Sequence, residues 1–510
     1  MLINRLAGLT GLIGVLATTS VAQSPLSAID WLSDSIQAPI VLPKKQPEDV
    51  SQSAAVGDII VTPLDAPGLD AVGLLPTSVT GFPRDLWGNS DPAELTRLLS
   101  RIDATPTPAL QDLLYTVLLA ELDPPREGDP DDALFLARVD KLLSMGALEQ
   151  AKALLERAGP ENSALFRRWF DVGLLTGTEN AACQTLKQKA DIAPTFQTRI
   201  FCLARNGDWN AAALTLETAK ALGYLSNSED ALLARFLDPL LFEGLPPLPL
   251  PQHPTPLIFQ MHNAIGEPIA TSTLPLAFAH SDLLPVSGWK AQIEAAERLA
   301  RSGAIDENLL LGIYSERLPA ASGGLWDRVD AIQRFDIALR SKNPNAIAKT
   351  LPPAWSQMQK IGLETAFARL IDDDLTGLPL NANAASLAYR IGLLSPHYEE
   401  IASSYTPQSQ DEAFLASVAK GQPDQNSVIN ERAQAVLDGF TMEGPPDEFS
   451  PILIEGRVGE AILRATQLFI SGHTGDPNDI AMAIGLFRFV GLEDSARRAA
   501  LEYLLLPERV

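Results

Sequence analysis

Three glycines at nearly equal intervals restrict the fold of this 510-residue chain more than any other feature of its sequence. Gly146, Gly177 and Gly207 lie 31 and 30 residues apart, and each opens the pattern Gly-x-x-(Glu/Asn)-x-Ala. A related copy begins at Gly491. Such intervals are typical of helix-pair repeats, which stack to form one elongated core. The pattern predicts an all-α chain that forms an α-solenoid.

The three copies predict three successive helix pairs. In each pair one helix ends near the glycine and the next begins after it, at 131–145 with 147–158, 162–176 with 178–190, and 196–206 with 208–222. Three earlier helix starts are marked by a capping residue followed by proline, at Asp91-Pro92, Thr107-Pro108 and Asp129-Pro130. We therefore expect a helical repeat domain over residues 91–238.

In these pairs the chain resembles the tetratricopeptide repeat, in which small residues at fixed offsets let two helices pack closely. The alanine that the family has five residues after the glycine is present as Ala151, Ala182, Ala212 and Ala496. A second alanine seven residues further on is present as Ala158 and Ala219, but Lys189 and Tyr503 replace it in the other copies. The small residue seven positions before the glycine is replaced by Val139, Phe170 and Ile200. The resemblance implies degenerate tetratricopeptide-like pairs.

The N-terminus has the pattern of a secretory signal. Arg5 precedes the apolar run 6–17, and Ser20-Val-Ala22 supplies small residues for cleavage before Gln23. The run is too short for a comfortable membrane span, although an uncleaved anchor is the alternative, and no second run of about 20 apolar residues follows. We expect a signal peptide at 1–22, export to the periplasm and no integral membrane span. The overall plan also resembles a group of exported proteins of alphaproteobacteria.

Residues 23–90 are rich in Pro, Ser, Asp and Gly, which predicts an extended, partly disordered arm. Within it, Ser27 precedes a possible short amphipathic helix whose apolar residues form a candidate docking segment, namely Ile29, Trp31, Leu32 and Ile36. This segment could bind a partner or pack on the protein itself, and the pattern does not distinguish the two. The stretch 58–62 is strand-like.

The chain has two cysteines, Cys183 and Cys202. In an oxidising compartment an isolated pair 19 residues apart favours a disulfide. A metal site would need further ligands, and the Cys-x-x-Cys spacing of redox-active pairs is absent. The predicted bridge would join the second helix of one pair to the first helix of the next.

Residues 239–256 contain a proline-rich run that favours a semi-rigid linker, with a ligand for an aromatic groove as the alternative. A second helical domain is expected over 257–510. Its predicted helices lie at 287–302, 305–315, 324–340, 362–372, 383–394, 409–420, 427–439, 457–471, 478–490 and 492–505.

The net charge of -24 makes nucleic acid an unexpected partner, because such a surface repels phosphates. The sequence lacks the motifs of the common serine hydrolases, zinc peptidases and nucleotide-binding proteins. Its five histidines are scattered, and Asp372-Asp-Asp374 is expected to be an exposed acidic loop. We therefore assign no catalytic, cofactor or metal residues.

These features predict a non-catalytic helical scaffold that binds a protein or peptide in the cell envelope. Repeat proteins present extended binding surfaces, and the acidic balance favours a basic or mixed partner. The alternative is an enzyme, or its accessory domain, that acts on cell-wall glycan, since some lytic transglycosylases carry a helical superhelix. Such enzymes also need a compact catalytic domain with its acid residue, and the sequence does not identify one. For glycosidases in general, the carboxylate pair has a spatial separation that the sequence cannot reveal.

Overall fold

The computed structural model describes residues 68–103, 106–129, 132–319, 321–375 and 377–507. Within these ranges the regular structure is helical, and one isolated parallel bridge joins Leu75 to Ala120. The all-α prediction is confirmed. The predicted signal peptide, the candidate docking residues 29–36 and the strand-like stretch 58–62 lie outside the described residues.

The helices of the first half are α1 (Thr77–Thr80), α2 (Pro92–Arg101), α3 (Pro108–Leu119), α4 (Ala133–Ser144), α5 (Leu148–Ala158), α6 (Ser163–Thr176), α7 (Glu179–Gln188), α8 (Phe196–Arg205), α9 (Trp209–Ala221), α10 (Asn227–Leu237), α11 (Pro256–Ala264) and α12 (Ala279–Asp282).

Those of the second half are α13 (Trp289–Arg301), α14 (Glu307–Ser315), α15 (Leu325–Arg340), α16 (Pro344–Gln359), α17 (Glu364–Leu375), α18 (Ala382–Gly392), α19 (Tyr398–Ser404), α20 (Gln410–Ala419), α21 (Glu431–Thr441), α22 (Ser450–Ile454), α23 (Val458–Gly472), α24 (Pro477–Phe489) and α25 (Glu493–Leu505). Among the described helices, none combines the length and apolar character that a membrane crossing requires.

The three predicted helix pairs are present as α4–α5, α6–α7 and α8–α9, and they pack one after another. The glycine between the helices of each pair has a left-handed φ, which is 75° at Gly146, 71° at Gly177 and 83° at Gly207. At Gly146 the space is also restricted, because a Cβ atom would lie 2.9 Å from Leu299. Glycine is thus required there for both conformation and packing.

The helix starts follow the predicted capping chemistry in part. The Asp91 side chain accepts a hydrogen bond from the Ala93 amide at 3.0 Å, as an N-cap residue should. Asp129 instead accepts from the Leu134 amide at 2.7 Å, and the helix begins at Ala133, later than predicted.

Residues 68–90 differ from the flexible arm predicted for them, because they pack on the helical body. Trp87 is fully buried, and the Leu86 carbonyl accepts a hydrogen bond from the Gly459 amide at 2.8 Å. Asn89 donates to the Glu455 carbonyl at 2.7 Å. This stretch therefore connects the start of the described chain to α22 and α23.

Arg138 on α4 holds the stretch before α1 in place. Its guanidinium is completely buried and donates to the carbonyls of Leu118, Ala120 and Asp70 at 2.9, 3.0 and 3.0 Å. Burial raises the pKa of the Asp70 carboxyl to about 6 and lowers that of Arg138 to about 10. A buried charge is tolerated here because each of the three guanidinium nitrogens donates to a carbonyl.

Residues of the predicted linker are hydrogen-bonded to neighbouring elements of the helical body. Arg235 on α10 donates to the Pro246 carbonyl at 2.8 Å, and Glu267 accepts from the Leu248 amide at 2.8 Å. Beyond the linker, α11 returns to α6 and shares its hydrophobic core. Helices on the two sides of the linker therefore share part of one core.

The last helices pack on the first ones. Helix α25 contacts α3, and α23 contacts α2, so one hydrophobic cluster includes residues from both ends of the described chain. In an open solenoid each repeat contacts only its neighbours. The described chain departs from that arrangement, because residues nearly 400 positions apart are in contact, as the Ala109 amide and the Glu502 carboxylate show at 2.9 Å.

Two local predictions in the second half are wrong. Helix α16 was not predicted, because Pro352 and Pro353 lie inside it and proline normally interrupts helices. Its buried residues, such as Leu351 and Met358, pack on α15 and outweigh that cost. The acidic stretch 372–374, predicted as a loop, is the last turn of α17.

The predicted disulfide is present between Cys183 on α7 and Cys202 on α8, with their Cα atoms 4.9 Å apart. It joins the second pair of helices to the third. Both residues are buried, so the bridge lies within the core of the stack.

Replacing both cysteines, in the variant Cys183→Ser/Cys202→Ser, should lower the free energy of unfolding by on the order of 3 kcal/mol, because the bridge no longer restricts a loop of about 20 residues in the unfolded chain. Urea denaturation of both proteins under oxidising conditions measures the difference. Adding reductant should destabilise the natural protein alone. An equal response of both proteins to reductant would contradict this account.

The carboxyl of Glu502 should make stability depend on pH. Burial raises its pKa to about 7, although the Ala109 amide and the Arg498 charge lower it. Between about pH 4.5, its ordinary value, and pH 7, the folded chain holds a proton that the unfolded chain has lost. Unfolding then releases a proton, so this group makes the free energy of unfolding fall as pH rises through that window.

In Glu502→Gln this contribution is absent, since an amide does not titrate. We expect the stability of the natural protein relative to Glu502→Gln to decrease from about pH 4.5 to pH 7, measured by urea denaturation. The exposed Glu448→Gln is the matched control and should leave the pH profile unchanged. A constant difference between the natural protein and Glu502→Gln would refute the assignment.

Candidate partner-binding surface

Large apolar side chains are exposed in high density between residues 209 and 250. Eight of the sixteen such side chains in the described chain lie in this stretch, and we call them the 209–250 surface: Trp209, Leu214, Leu222, Tyr224, Leu240, Leu241, Leu245 and Leu250. The other eight are spread over the remaining elements. Isolated exposed apolar residues are ordinary, whereas a concentration of them indicates an interaction site.

Helix α9 provides the start of this surface because it is apolar on more than one side. Ala212, Leu216 and Ala219 are buried and face the preceding helix α8. Leu214 is 70% exposed, and Trp209 at the first position is 52% exposed. The buried side of α9 therefore packs within the helix stack, and other apolar side chains of α9 remain exposed to solvent.

The turn that precedes α9 is less covered by the rest of the chain than the turn of the first pair. Near Gly146, the turn of the first pair is covered by Leu276 and Leu299. Around Gly207, the turn of the third pair, no other atom lies within 4 Å of the place a Cβ would occupy. The second half of the chain thus covers the turn at Gly146 and leaves the turn at Gly207 uncovered.

The surface continues along the chain after α10. A short 3-10 turn, Pro239–Phe242, exposes Leu240 and Leu241 by 80% and 72%. The next residues are held against the body by Arg235, which binds the carboxylate of Glu267 at 2.7 Å. The exposed leucines are therefore carried by backbone that is fixed at both ends.

The charge around these side chains is acidic. The stretch 209–250 contains five Asp or Glu residues and two basic ones, Lys220 and Arg235. Lys220 lies 2.7 Å from Asp230, and its pKa is raised by that hydrogen bond. Since both basic groups are already paired with acids, the charge that remains toward solvent is negative.

The predicted site residues have different relations to this surface. Cys183 and Cys202 form a disulfide that fixes α8. Helix α9, which starts the 209–250 surface, packs against α8. The candidate docking residues 29–36 lie outside the described ranges. Of these two predicted groups, the described part of the chain contains the cysteine pair.

The described residues hold no group of three or more His, Cys, Asp or Glu side chains that could bind a metal ion. The histidines have structural contacts instead. The ring of His280 is buried and lies 2.6 Å from the Gly146 carbonyl, and the ring of His473 packs edge-on to Tyr503.

A separate polar cavity of about 400 Å³ lies where α3, α17 and the end of α23 meet. Two carboxylates, Asp103 and Glu364, line it together with His473. Glu364 is 1% exposed. We call this the closure cavity, because it lies where the first helices meet the last.

Sequence reasoning missed the 209–250 surface because it treats apolar residues in a helix as core. Trp209 lies within a copy of the repeat pattern, and the leucines after Pro239 lie in the expected linker. The sequence does contain an indication that some of these residues are exposed, because the apolar residues of α9 occupy more than one side of the helix.

No family model, curated protein or solved structure matches this chain.

Proposed function

We propose that this protein is a non-catalytic, exported helical-repeat scaffold that binds a protein partner in the cell envelope through the 209–250 surface. The observation that carries the proposal is the concentration of exposed apolar side chains on neighbouring, packed elements at one end of the helix stack. Surfaces of this kind are recurrent sites of protein association.

The chemistry of the surface indicates the chemistry of the partner. Trp209 and Tyr224 offer flat rings, and Tyr224 already stacks on Phe196 with ring centres 5.1 Å apart. Buried aromatic side chains supply much of the energy at protein interfaces. The acidic surroundings favour a partner segment that combines apolar and basic residues. The tetratricopeptide-like resemblance and the periplasmic location are parts of the same proposal.

The disulfide supports this role mechanically. Because Cys183–Cys202 fixes α8 to α7, helix α9 and its exposed leucine keep their position when no partner is bound. A preformed surface loses less conformational entropy on binding. The oxidised form should therefore bind more tightly than the reduced form.

Photo-crosslinking tests the proposal directly. A photoreactive phenylalanine analogue placed at Leu214 should capture a defined envelope protein from the expressing cell. The same analogue at Ile337, which is 67% exposed on α15, is the matched control and should not capture it. The captured protein, once identified, is then purified for affinity measurements.

With that partner in hand, Leu214→Ser/Leu241→Ser should weaken binding by roughly tenfold or more, since each leucine buried at an interface contributes about 1.5 kcal/mol or more. The control Ile337→Ser/Ile454→Ser removes two equally exposed residues elsewhere and should leave affinity unchanged. Raising the ionic strength should also slow association. Equal capture at positions 214 and 337 would overturn the proposal.

The closure cavity favours a second candidate function, action on cell-wall glycan. Glycoside hydrolysis uses two carboxylates, and Asp103 and Glu364 line one cavity. This second hypothesis predicts that the purified protein cleaves cell-wall glycan and that Glu364→Gln abolishes the cleavage. If the natural protein does not cleave glycan, the second function is excluded, and the scaffold proposal is not affected.

A further inference from the structure

An apolar cavity of about 320 Å³ opens between α17, α18 and α19. Its walls are mostly aliphatic and include Leu375, Leu378, Leu380, Ala388, Ile391 and Ile401. The rings of Tyr389 and Tyr405 complete the lining. Volume and composition fall in the range of small-molecule sites.

The cavity lies where two hydrophobic clusters meet. Tyr389 belongs to the cluster that contains both ends of the described chain, whereas Ile391 and Leu375 belong to the cluster built by α13 to α18. Ligand sites occur preferentially at such junctions, since two separately packed bodies leave a gap between them.

The aromatic wall is held in a fixed geometry. The Tyr389 and Tyr405 rings stack with centroids 4.1 Å apart and planes inclined by 15°. Tyr405 donates to the Glu412 carboxylate at 3.3 Å, and Tyr389 donates to the Glu412 backbone carbonyl at 3.3 Å. Because both hydroxyl groups have acceptors, the rings present apolar faces to the cavity without an unsatisfied polar atom.

A second apolar cavity of about 230 Å³ lies on the other side of one side chain. Ile371 on α17 lines both cavities and is 4% exposed. Its lining is mainly apolar and includes Phe335, Met358 and Phe367, with Asn308, Asp336 and Arg340 as its polar members. The two cavities are therefore adjacent at Ile371, the one residue that lines both.

The charged groups next to Tyr389 and Ile391 have an acidic balance. Arg390, which lies between the lining residues Tyr389 and Ile391 in sequence, is bound to Asp411 at 2.6 Å and lies 3.8 Å from Glu412. Its charge is thus offset by two acids, and the whole chain carries a net charge of -24. This acidic balance disfavours a carboxylate or phosphate head group relative to an uncharged one.

We propose that this cavity binds the single acyl chain of an amphiphile with an uncharged head group, such as a monoacylglycerol. The chain enters beside Tyr405 and lies against Leu375, Ala388 and Ile391, with its head group near the opening. Longer chains reach the second cavity when Ile371 changes its side-chain conformation. This site is independent of the 209–250 surface and of the partner proposed for it.

Binding is measured with the full chain and the neutral fluorescent probe N-phenyl-1-naphthylamine. We expect saturable enhancement from one site, and displacement by monolauroylglycerol at a concentration roughly tenfold lower than by laurate, which has the same chain length and a charged head. A stronger effect of laurate would overturn the head-group assignment.

Filling the cavity should remove binding. Ala388→Phe places a ring in the cavity and should weaken probe binding by roughly tenfold or more. Ala382→Phe, on the exposed side of the same helix start, is the matched control and should bind as the natural protein does. If Ala388→Phe lacks the natural circular dichroism spectrum, Ala385→Leu replaces it, since Ala385 also lines the cavity.

Ile371→Ala tests the connection between the two cavities. Removing this side chain should shift the preferred monoacylglycerol toward longer chains. Absence of saturable binding by the natural protein, or equal binding by Ala388→Phe and Ala382→Phe, would overturn the proposal. An unchanged chain-length preference in Ile371→Ala would overturn the proposed path.

Discussion

The carboxylate of Glu502 at the start of helix α3 is the contact on which the arrangement of the described chain depends. It accepts the Ala109 amide at 2.9 Å, which is one of the N-terminal donors that a helix leaves unsatisfied. One turn along α3, Asp112 binds Arg369 and Arg498, each at 2.6 Å. A single helix near the start of the chain thereby holds α17 and α25.

Helix α3 also contacts the end of α13. Gln111 donates to the Arg301 carbonyl at 2.9 Å, and the Tyr115 hydroxyl donates to the Ser302 carbonyl at 3.0 Å. These carbonyls lie at the C-terminal end of α13, where no further N–H groups of the same helix are available to bind them. Polar groups that helix ends leave unpaired are therefore satisfied by side chains that are distant in sequence, and the helices are joined into a closed arrangement.

The closed arrangement determines which parts of the repeat stack remain accessible. The second half of the chain covers the turn at Gly146 and leaves the turn at Gly207 open. Helix α9 packs on α8 and α10, and its side chains that face neither helix remain exposed. The apolar cavity at α17–α19 has the same origin, since it lies where the closed part meets the cluster of α13 to α18.

The sequence by itself determined the local structure of this protein. Its helix pairs, their left-handed glycine turns and the Cys183–Cys202 bridge depend on residues close in the chain, so periodicity and spacing were sufficient to predict them. Helix α16 is an exception, because packing on α15 overrides its internal prolines.

Tertiary structure decided the rest, including both candidate sites. The contact between Ala109 and Glu502 joins positions 393 residues apart, and no local pattern encodes such a pair. The same holds for residues 68–90, where Asn89 donates to the carbonyl of Glu455, 366 positions away. The expected linker is poor in helix signals, and Arg235 on α10 holds it by donating to the Pro246 carbonyl. Whether Leu214 is core or surface depends on which helix lies opposite it, and only the folded chain determines that.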